Sequence, residues 1–511
     1  MKRDGFCTSC WQEMPGYSPR NRFSTNTEYD VVIIGAGITG ITTALLLQTA
    51  GKNCLVTEAR NIGFGTTGGT TAHLNTILDT PYYTIIKNFN EESARLVYQA
   101  AQEAIELVRK NIETHSISCT FEEKTGYMFS PHKDLDKELQ KIVDSSQKVG
   151  VEIDYTDQSP VPIPFSSVAQ FSGQAQFNPI QYVYALAKAF EEAGGVIVQE
   201  NPVKEVKEDN LLHVHSSQGI IKAKNVVYAT HTPPGINLLH LRLVPWRSYA
   251  MAVRINGEYP DALVYDTEDP YHYFRTQEID GLTYLIAGGE DHKTGHEENA
   301  EKSFMLLEAY LRKHFDIEEI KWKWSSQYYE TVDGLPYIGH FPMHPDNVYV
   351  ATGFGGNGMI YGTVSAIMLR DLITTSKSDY EKLFDPNRLK PIAGFAEFAS
   401  AAADVVGNLI KKPFSAEKIE GLVDLAPGEG KIVKYEGHKI ALYKDDDGKI
   451  YGISPTCNHM GCSINWNNAE RSWDCPCHGS RFNMYGELLT GPAVKDQEQV
   501  IIQERQHVKE R

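Results

Sequence analysis

Residues Asp30–Glu58, DVVIIGAGITGITTALLLQTAGKNCLVTE, decide the fold of the long N-terminal part of this chain. Val31–Ile34 is a short apolar run without alternation, the pattern of a strand buried on both faces. Gly35-Ala36-Gly37-Ile38-Thr39-Gly40 comes next, then Ile41, Ala44, Leu45 and Leu46 at helical spacing until Gly51 stops the helix. Asn53–Thr57 reads as a second strand, and Glu58 closes it at roughly the 20-residue distance at which an acidic residue meets a ribose. Gly35 permits the tight turn, Gly37 admits a pyrophosphate close to the backbone, and Gly40 lets helix and strand pack closely. The helix N-terminus offers free N–H groups and the positive end of its dipole. The unit therefore predicts a dinucleotide site.

Further along, Asn225–Val227 with Tyr228-Ala229-Thr230 reads as another buried strand ending in small residues. Asp333-Gly334-Leu335-Pro336-Tyr337-Ile338-Gly339 precedes a strand at Asn347–Ala351, which runs into Thr352-Gly353-Phe354-Gly355-Gly356-Asn357-Gly358-Met359. A helix carrying Ile360, Val364, Ile367 and Met368 follows. This second glycine-rich strand-to-helix turn aims a second set of N–H groups at an electron-rich edge, or serves packing alone.

With these segments and the loop Gly63-Phe64-Gly65-Thr66-Thr67-Gly68-Gly69-Thr70-Thr71, residues 28–385 resemble FAD-dependent oxidoreductases of the D-amino-acid oxidase/glycine oxidase family. The resemblance implies an α/β FAD-binding Rossmann-like domain with an α+β substrate subdomain, formed from about 81–165 and 246–320. It implies FAD held by Gly35, Gly37, Ile38, Gly40, Glu58, Ala59 and Arg60, with Thr66 and Thr67 near the pyrophosphate and ribityl chain. Val203 would pass the adenine, Ala229 would end a wall strand, and Gly355, Gly356, Asn357, Gly358 and Met359 would face the flavin pyrimidine edge. Arg275, in Tyr271-His272-Tyr273-Phe274-Arg275, is the family-based candidate for clamping a substrate carboxylate, with a surface salt bridge as its alternative. His73 is placed near the flavin in a structural role. No cysteine lies between Cys119 and Cys457, so a cysteinyl flavin from that stretch is excluded, and FAD is expected to be non-covalent.

Residues 416–511 carry the most specific signal. Cys457-Asn458-His459-Met460-Gly461-Cys462 is followed by Cys475-Pro476-Cys477-His478-Gly479-Ser480. C-x-H and C-x-x-H each offer one sulfur and one nitrogen, together the two thiolates and two imidazoles of a Rieske cluster. The chain between His459 and Cys475 is long enough for a strand pair that brings the two loops tip to tip. Zinc also takes such a set, but zinc fingers place Cys with Cys and His with His, and two further cysteines would stand idle.

The segment resembles the Rieske proteins of cytochrome bc-type complexes, which implies an all-β domain. It makes Cys457, His459, Cys475 and His478 the ligands of a 2Fe–2S cluster and Cys462–Cys477 a disulfide tying the two loops. Gly491-Pro492-Ala493 matches the proline loop over the cluster, and Ser480 matches the serine that hydrogen-bonds a cluster sulfide. Phe482 stands where those proteins carry a tyrosine whose hydroxyl bonds a cysteine sulfur. Losing that donor destabilises the reduced cluster and lowers its potential. Phe482→Tyr is therefore expected to raise the midpoint in a redox titration followed by EPR; an unchanged or lower midpoint would contradict this.

The 511 residues carry 49 Lys+Arg against 66 Asp+Glu, a net charge of −17, which argues against nucleic acid or anionic membrane as the main partner. The N-terminus has no apolar signal core, and the most apolar helix candidate, Phe395–Ile410, contains Glu397 and Asp404. The expectation is a cytoplasmic protein, whose loop-tying disulfide would then be shielded beside the cluster. Residues 1–27 read as an N-terminal arm whose Cys7 and Cys10 are tail thiols, and 386–415 as a linker with a helix. Glu290-Asp291-His292 and His296 superficially suggest an iron triad, but their polar run GGEDHKTGHEEN reads as a solvated loop. Together these readings predict a flavin-dependent oxidoreductase. It would oxidise an amine or amino acid by hydride transfer to FAD and pass electrons singly to the cluster and then to a soluble acceptor. A Rieske-fed flavin reductase or oxygen-activating enzyme, and a non-catalytic electron-transfer protein, are the alternatives.

Overall fold

The computed structural model describes residues 3–388, 417–418, 425–435 and 437–502. The helix expected at Phe395–Ile410, with most of the linker around it, lies outside the described residues. The strand Glu28–Ile34 runs parallel to Cys54–Thr57 on one side and Gly219–Tyr228 on the other, with Ile34 level with Thr57 and Tyr228. Alternate side chains enter two different cores, which explains the unbroken apolar run. Val31 and Ile33 pack with the helices Ile38–Thr49 and Gly358–Thr375, while Val32 and Ile34 pack with Leu212 and Val214 of a hairpin on the opposite face. Val196–Val198 and Val348–Thr352 extend the parallel array, and Tyr337–His340 closes one edge antiparallel. Shared direction and register bring Gly35, Glu58 and Ala229 out side by side at one end, where α/β sheets bind ligands.

A second, nine-stranded sheet is assembled from distant stretches of chain. Ile317–Thr331 pairs along Leu243–Ile255, followed in order by Leu282–Lys293, Tyr273–Ile279 and Leu263–Asp266. Leu263–Asp266 pairs in parallel with Glu122–Ser130, which continues to Ser167–Gln176. The helix Glu301–His314 buries Phe304, Leu307 and Leu311 against Val253, Phe274 and Leu285 of this sheet.

The C-terminal module holds two four-stranded sheets. Asn465–Asn467 and Ser472–Asp474 form the antiparallel pair between the cysteine loops, with Trp466 opposite Trp473. Ser472–Asp474 then pairs with Arg481–Asn483, so both cysteine loops emerge from one small sheet.

Two expectations are overturned. The N-terminal arm is not a loose tail: Arg3, Asp4, Ser9, Cys10, Trp11 and Gln12 are buried. Trp11 fills a pocket with Ile180, Ile286 and Trp324, and its indole N–H donates to the Thr70 carbonyl at 2.7 Å. Burial pushes the Cys7 thiol up to about 12 and raises that of Cys10 as well, which leaves neither as a reactive dithiol. Residues 290–293 are not a solvated loop either. They form the end of the strand Leu282–Lys293, held by pairing of His292 with Arg247 and Lys293 with Trp246.

Candidate functional site

The glycines build a cradle that side chains would fill. Gly35 has φ +108°, and a Cβ there would lie 2.4 Å from the Ala229 carbonyl oxygen. At Gly40 a Cβ would meet the Gly35 carbonyl at 1.9 Å, so its hydrogen is what lets helix and strand touch. Thr67, in the short helix Thr66–Gly69, lies over the helix N-terminus and accepts the Ile38 N–H at 3.1 Å. Glu58 accepts the Ala36 N–H at 2.8 Å and the Arg60 N–H at 2.9 Å, which fixes its carboxylate at the strand ends. Burial raises its pKa while those amides oppose the rise.

Gly35, Gly37, Ile38, Glu58, Ala59, Arg60, Thr66, Thr67, Val203, Ala229 and Gly355–Met359 all line one cavity of about 630 Å³. Gly40 does not, since its role is packing. The cavity passes from Glu58 and Val203 along the Gly35–Ile38 turn to the turn at Gly355–Gly356. Such a long groove, walled by glycine backbone and a helix N-terminus, fits an extended dinucleotide.

Beyond the Gly355–Gly356 turn the walls change character. Asp79 accepts the Gly356 N–H at 2.8 Å, and the Asp79 N–H donates to Asn357 Oδ1 at 2.8 Å. Tyr271 and Tyr273 lie with ring centres 5.6 Å apart, and the Tyr328 hydroxyl donates to Asp291 at 2.8 Å. Asp79 and Asp291 open onto the cavity with protein packed around their other sides. That enclosure pushes Asp79 to about 6 and Asp291 to about 7. His73 also borders the cavity, bonded through Nδ1 to Tyr265 at 2.8 Å. Burial holds its pKa far below the usual histidine range.

Arg275 is not among these residues, contrary to the sequence expectation of a carboxylate clamp. It is fully buried, and its guanidinium donates to the carbonyls of Thr71 at 2.8 Å, Ala72 at 3.0 Å and Phe177 at 3.2 Å, and to Gln277. Three carbonyls, the Gln277 side chain and the Trp11 ring at 5.6 Å surround it, and at full burial it forms neither a substrate contact in the cavity nor a surface salt bridge. Asp291, passed over as part of a polar run, lines the cavity instead. It sits at a register shift in its strand, beside Glu290 at φ +58°, where regular alternation is broken. The iron triad is likewise absent from the geometry, because His292 turns away to bond Tyr249 at 2.9 Å.

The C-terminal module closes the other side of the cavity. Leu488–Gly491 and Ala493–Asp496 are part of its wall, and Arg60 donates to the Leu488 carbonyl at 2.9 Å. Cys462 and Cys477 are joined in a disulfide, while Cys457 and Cys475 are free thiols buried together with Phe482 and Ala493. The rings of His459 and His478 lie 5.0 Å apart, and the buried Nδ1 of each has no hydrogen-bond partner. Two thiols and two unsatisfied ring nitrogens in one buried place are the donor set of a Rieske cluster. The Ser480 hydroxyl lies at the Cys457 sulfur and also accepts the Ala493 N–H at 3.0 Å. The Pro492 carbonyl accepts the Gly235 N–H at 2.9 Å.

The two sites share a wall that no single motif foretold. Gly479, at φ +75°, lies so close to Pro245, Gln327 and Tyr329 that a Cβ would fall within 2.8 Å of all three. Tyr329 donates to the His478 carbonyl at 3.1 Å and Gln327 to the Gly479 carbonyl at 2.9 Å. Both residues also line the cavity, and His231, another lining residue, packs edge-on to Tyr329 at 4.8 Å. On the other flank His240 packs against His459 at 4.9 Å and His478 at 5.7 Å. His231 directly follows the strand Gly219–Tyr228 and its Ala229-Thr230 end, a position that could have drawn attention to it in the sequence.

Fold and donor sets together define a dinucleotide-binding flavoprotein with a Rieske module docked against its cofactor cavity. The chain belongs to the FAD dependent oxidoreductase family, which matches residues 30–372, and the Rieske [2Fe-2S] domain family matches residues 418–503. FAD and a 2Fe–2S cluster are the cofactors these families imply. A Bacillus subtilis protein described as a Rieske 2Fe-2S iron-sulfur protein, YhfW, is 34% identical over 93% of this chain and 94% of its own length. Gamma-glutamylputrescine oxidoreductase of Escherichia coli is 22% identical, covering 70% of this chain and 86% of its own. Among solved structures, glycine oxidase of Geobacillus kaustophilus superposes with a TM-score of 0.61 at 18% identity, covering 71% of this chain and 99% of its own. Among the described residues, no helix is long and apolar enough to cross a membrane.

Proposed function

We propose that the protein oxidises a small-molecule amine or amino acid at the flavin site and delivers the electrons through the Rieske module to a soluble acceptor. When bound, FAD takes a hydride from the amine-bearing carbon, and the 2Fe–2S cluster carries electrons one at a time. The observation that carries the reading is the shared wall: Tyr329 and Gln327 line the cavity and hydrogen-bond the loop bearing Cys475 and His478. The relatives named for gamma-glutamylputrescine and glycine supply the amine and amino-acid alternatives.

The residues divide the work by position. Gly35–Ile38, Glu58 and Thr67 hold the dinucleotide, while the N-terminus of the helix Gly358–Thr375 stands at the far turn, where the Gly355, Gly356 and Asn357 N–H groups are donated within the protein. Asp79, Tyr271, Tyr273, Tyr328 and Asp291 enclose the space beyond that turn and orient the substrate. Cys457, His459, Cys475 and His478 hold the cluster, whose ligand loops are closed off by Gly235 and His240 on the flavin side. Met460, next to His459 in the same loop, is exposed, and the acceptor would dock there.

The test is anaerobic. Protein holding both cofactors is mixed with a panel of amines and amino acids, and visible and EPR spectra are recorded. At least one compound is expected to bleach the flavin and raise the reduced-Rieske EPR signal together. Bleaching with the cluster left oxidised would overturn the electron route. Reduction by reduced ferredoxin alone, with no response to any amine, would overturn the direction of flow.

A further inference from the structure

We infer that the substrate is a carboxylate-free alkylamine, bound as a cation between Asp79 and Asp291. This inference rests on the flavin-site reading above and narrows its substrate class.

The cavity is electrostatically divided. Its lysine and arginine side chains among the described residues are Arg60, Lys204 and Lys495. Arg60 bonds the Leu488 carbonyl, Lys204 follows Val203, and Lys495 belongs to the same Rieske segment, so all three belong to the dinucleotide end. Beyond the Gly355–Gly356 turn no lysine or arginine among the described residues lines the cavity. The one arginine near enough in sequence to be considered, Arg275, is consumed by the carbonyls of Thr71, Ala72 and Phe177. A carboxylate placed here would meet two acids and no cationic partner.

A cation finds the opposite. Asp79 lies directly on the turn, with its Oδ2 at the Gly356 N–H. Asp291 is steadied by the Tyr328 hydroxyl at 2.8 Å, and Tyr273 is bonded to Ser248 at 3.1 Å. Oδ1 of Asp291 and Nε2 of His73, both on residues of this wall, have no hydrogen-bond partner, which is unusual for enclosed polar atoms. The Tyr271, Tyr273 and Tyr328 rings add electron-rich faces that attract ammonium groups. Carboxylates and tyrosine rings without a cation make a cage for an aminoalkyl cation. They do not make a site for a zwitterionic amino acid.

Two probes that lack a hydrogen on the amine-bearing carbon separate this inference from the redox reading, because neither can reduce the flavin. Tert-butylammonium carries only the cation, whereas 2-aminoisobutyrate adds a carboxylate. Each is titrated into FAD-loaded protein holding its cluster, and the perturbation of the flavin absorption band is followed. Tert-butylammonium is expected to saturate at a concentration at least about tenfold lower than 2-aminoisobutyrate. Asp291→Asn and Asp79→Asn, which keep the hydrogen-bond acceptors, are each expected to weaken tert-butylammonium binding by roughly ten- to hundredfold. Flavin and Rieske spectra like those of the wild type report that each variant is folded. Tighter binding of 2-aminoisobutyrate, saturable binding of neither probe, or unchanged affinity in both variants overturns the inference. Because no electron moves in these titrations, such a failure leaves the amine-to-cluster route standing, and failure of that route leaves the binding result intact.

Discussion

Replacing Glu470 by alanine is expected to destabilise the protein by about 3–5 kcal/mol and to loosen the Rieske module from the flavin domain. Glu470 belongs to the Rieske module but is buried where three parts of the chain meet. It lies 3.6 Å from both Arg3 of the N-terminal arm and Arg247 of the large sheet, and it accepts the Ser325 N–H at 2.8 Å and the Cys7 N–H at 3.1 Å. Arg481 continues the network to Asp474 at 3.1 Å and to Asp4 at 3.4 Å. Three guanidinium groups (Arg3, Arg247, Arg481) thus balance three carboxylates (Asp4, Glu470, Asp474), all out of water. Removing one carboxylate leaves an uncompensated buried positive charge, which costs far more than an exposed pair would. Denaturant unfolding would read the loss of stability, and slower cluster reduction after rapid flavin reduction would read the loosened docking. Unchanged values of both would mean that the network is ornamental.

The same network sets an acid limit. Burial opposes charge on Glu470, but Arg3, Arg247 and Arg481 prevail and hold its carboxyl at about 2, below the ordinary 4.5. A carboxylate with a depressed pKa stabilises the fold fully above its unfolded value and loses that contribution as pH falls toward its folded value. The wild type should therefore lose stability between about 4.5 and 2, and Glu470→Gln, already without the charge, should show a shallower slope in that window. Parallel slopes in urea unfolding across those pH values would refute the assignment.

Cys475→Ala is expected to abolish the cluster while leaving flavin binding in place. Cys475 supplies one of the two free thiols in the Rieske donor set, and alanine offers iron no ligand atom. The Cys462–Cys477 disulfide still joins the loops, and Gln327 and Tyr329 bond the backbone of residues 478 and 479, so the cavity wall keeps its support. Iron content and the Rieske EPR signal should vanish, amine-dependent flavin bleaching should persist, and turnover with a one-electron acceptor that requires the cluster should fall to background. Retained turnover with that acceptor would show that electrons leave the flavin by another way.

How much of this was legible in the sequence follows from how local each feature is. The turn at Gly35–Gly40 and the turn at Gly355–Met359 can be read because their backbone demands are met within a few residues of chain. Cys457-x-His459 and Cys475-x-x-His478 can be read because ligand chemistry restricts residue type and spacing together. Asp291 resisted reading because a polar run at the end of a strand looks like a loop until the neighbouring strands are known. Its direction is set at a register shift against Leu243–Ile255, between the paired residues Gly289 and His292, where Glu290 takes φ +58°. Arg275 misled for the same reason: the carbonyls that consume it come from residues 71, 72 and 177, far from it in sequence.

By itself, then, the sequence determined the two cofactor cradles and their order along the chain, since each is encoded in contiguous residues with a local steric or ligand requirement. Tertiary structure alone decided that the cradles share a wall, that residues 3–12 pack in between the large sheet and the Rieske module, and that the cavity beyond the Gly355–Gly356 turn is acidic and aromatic. Those properties depend on which distant strands lie side by side and which way alternate side chains face, and packing of the whole chain sets both.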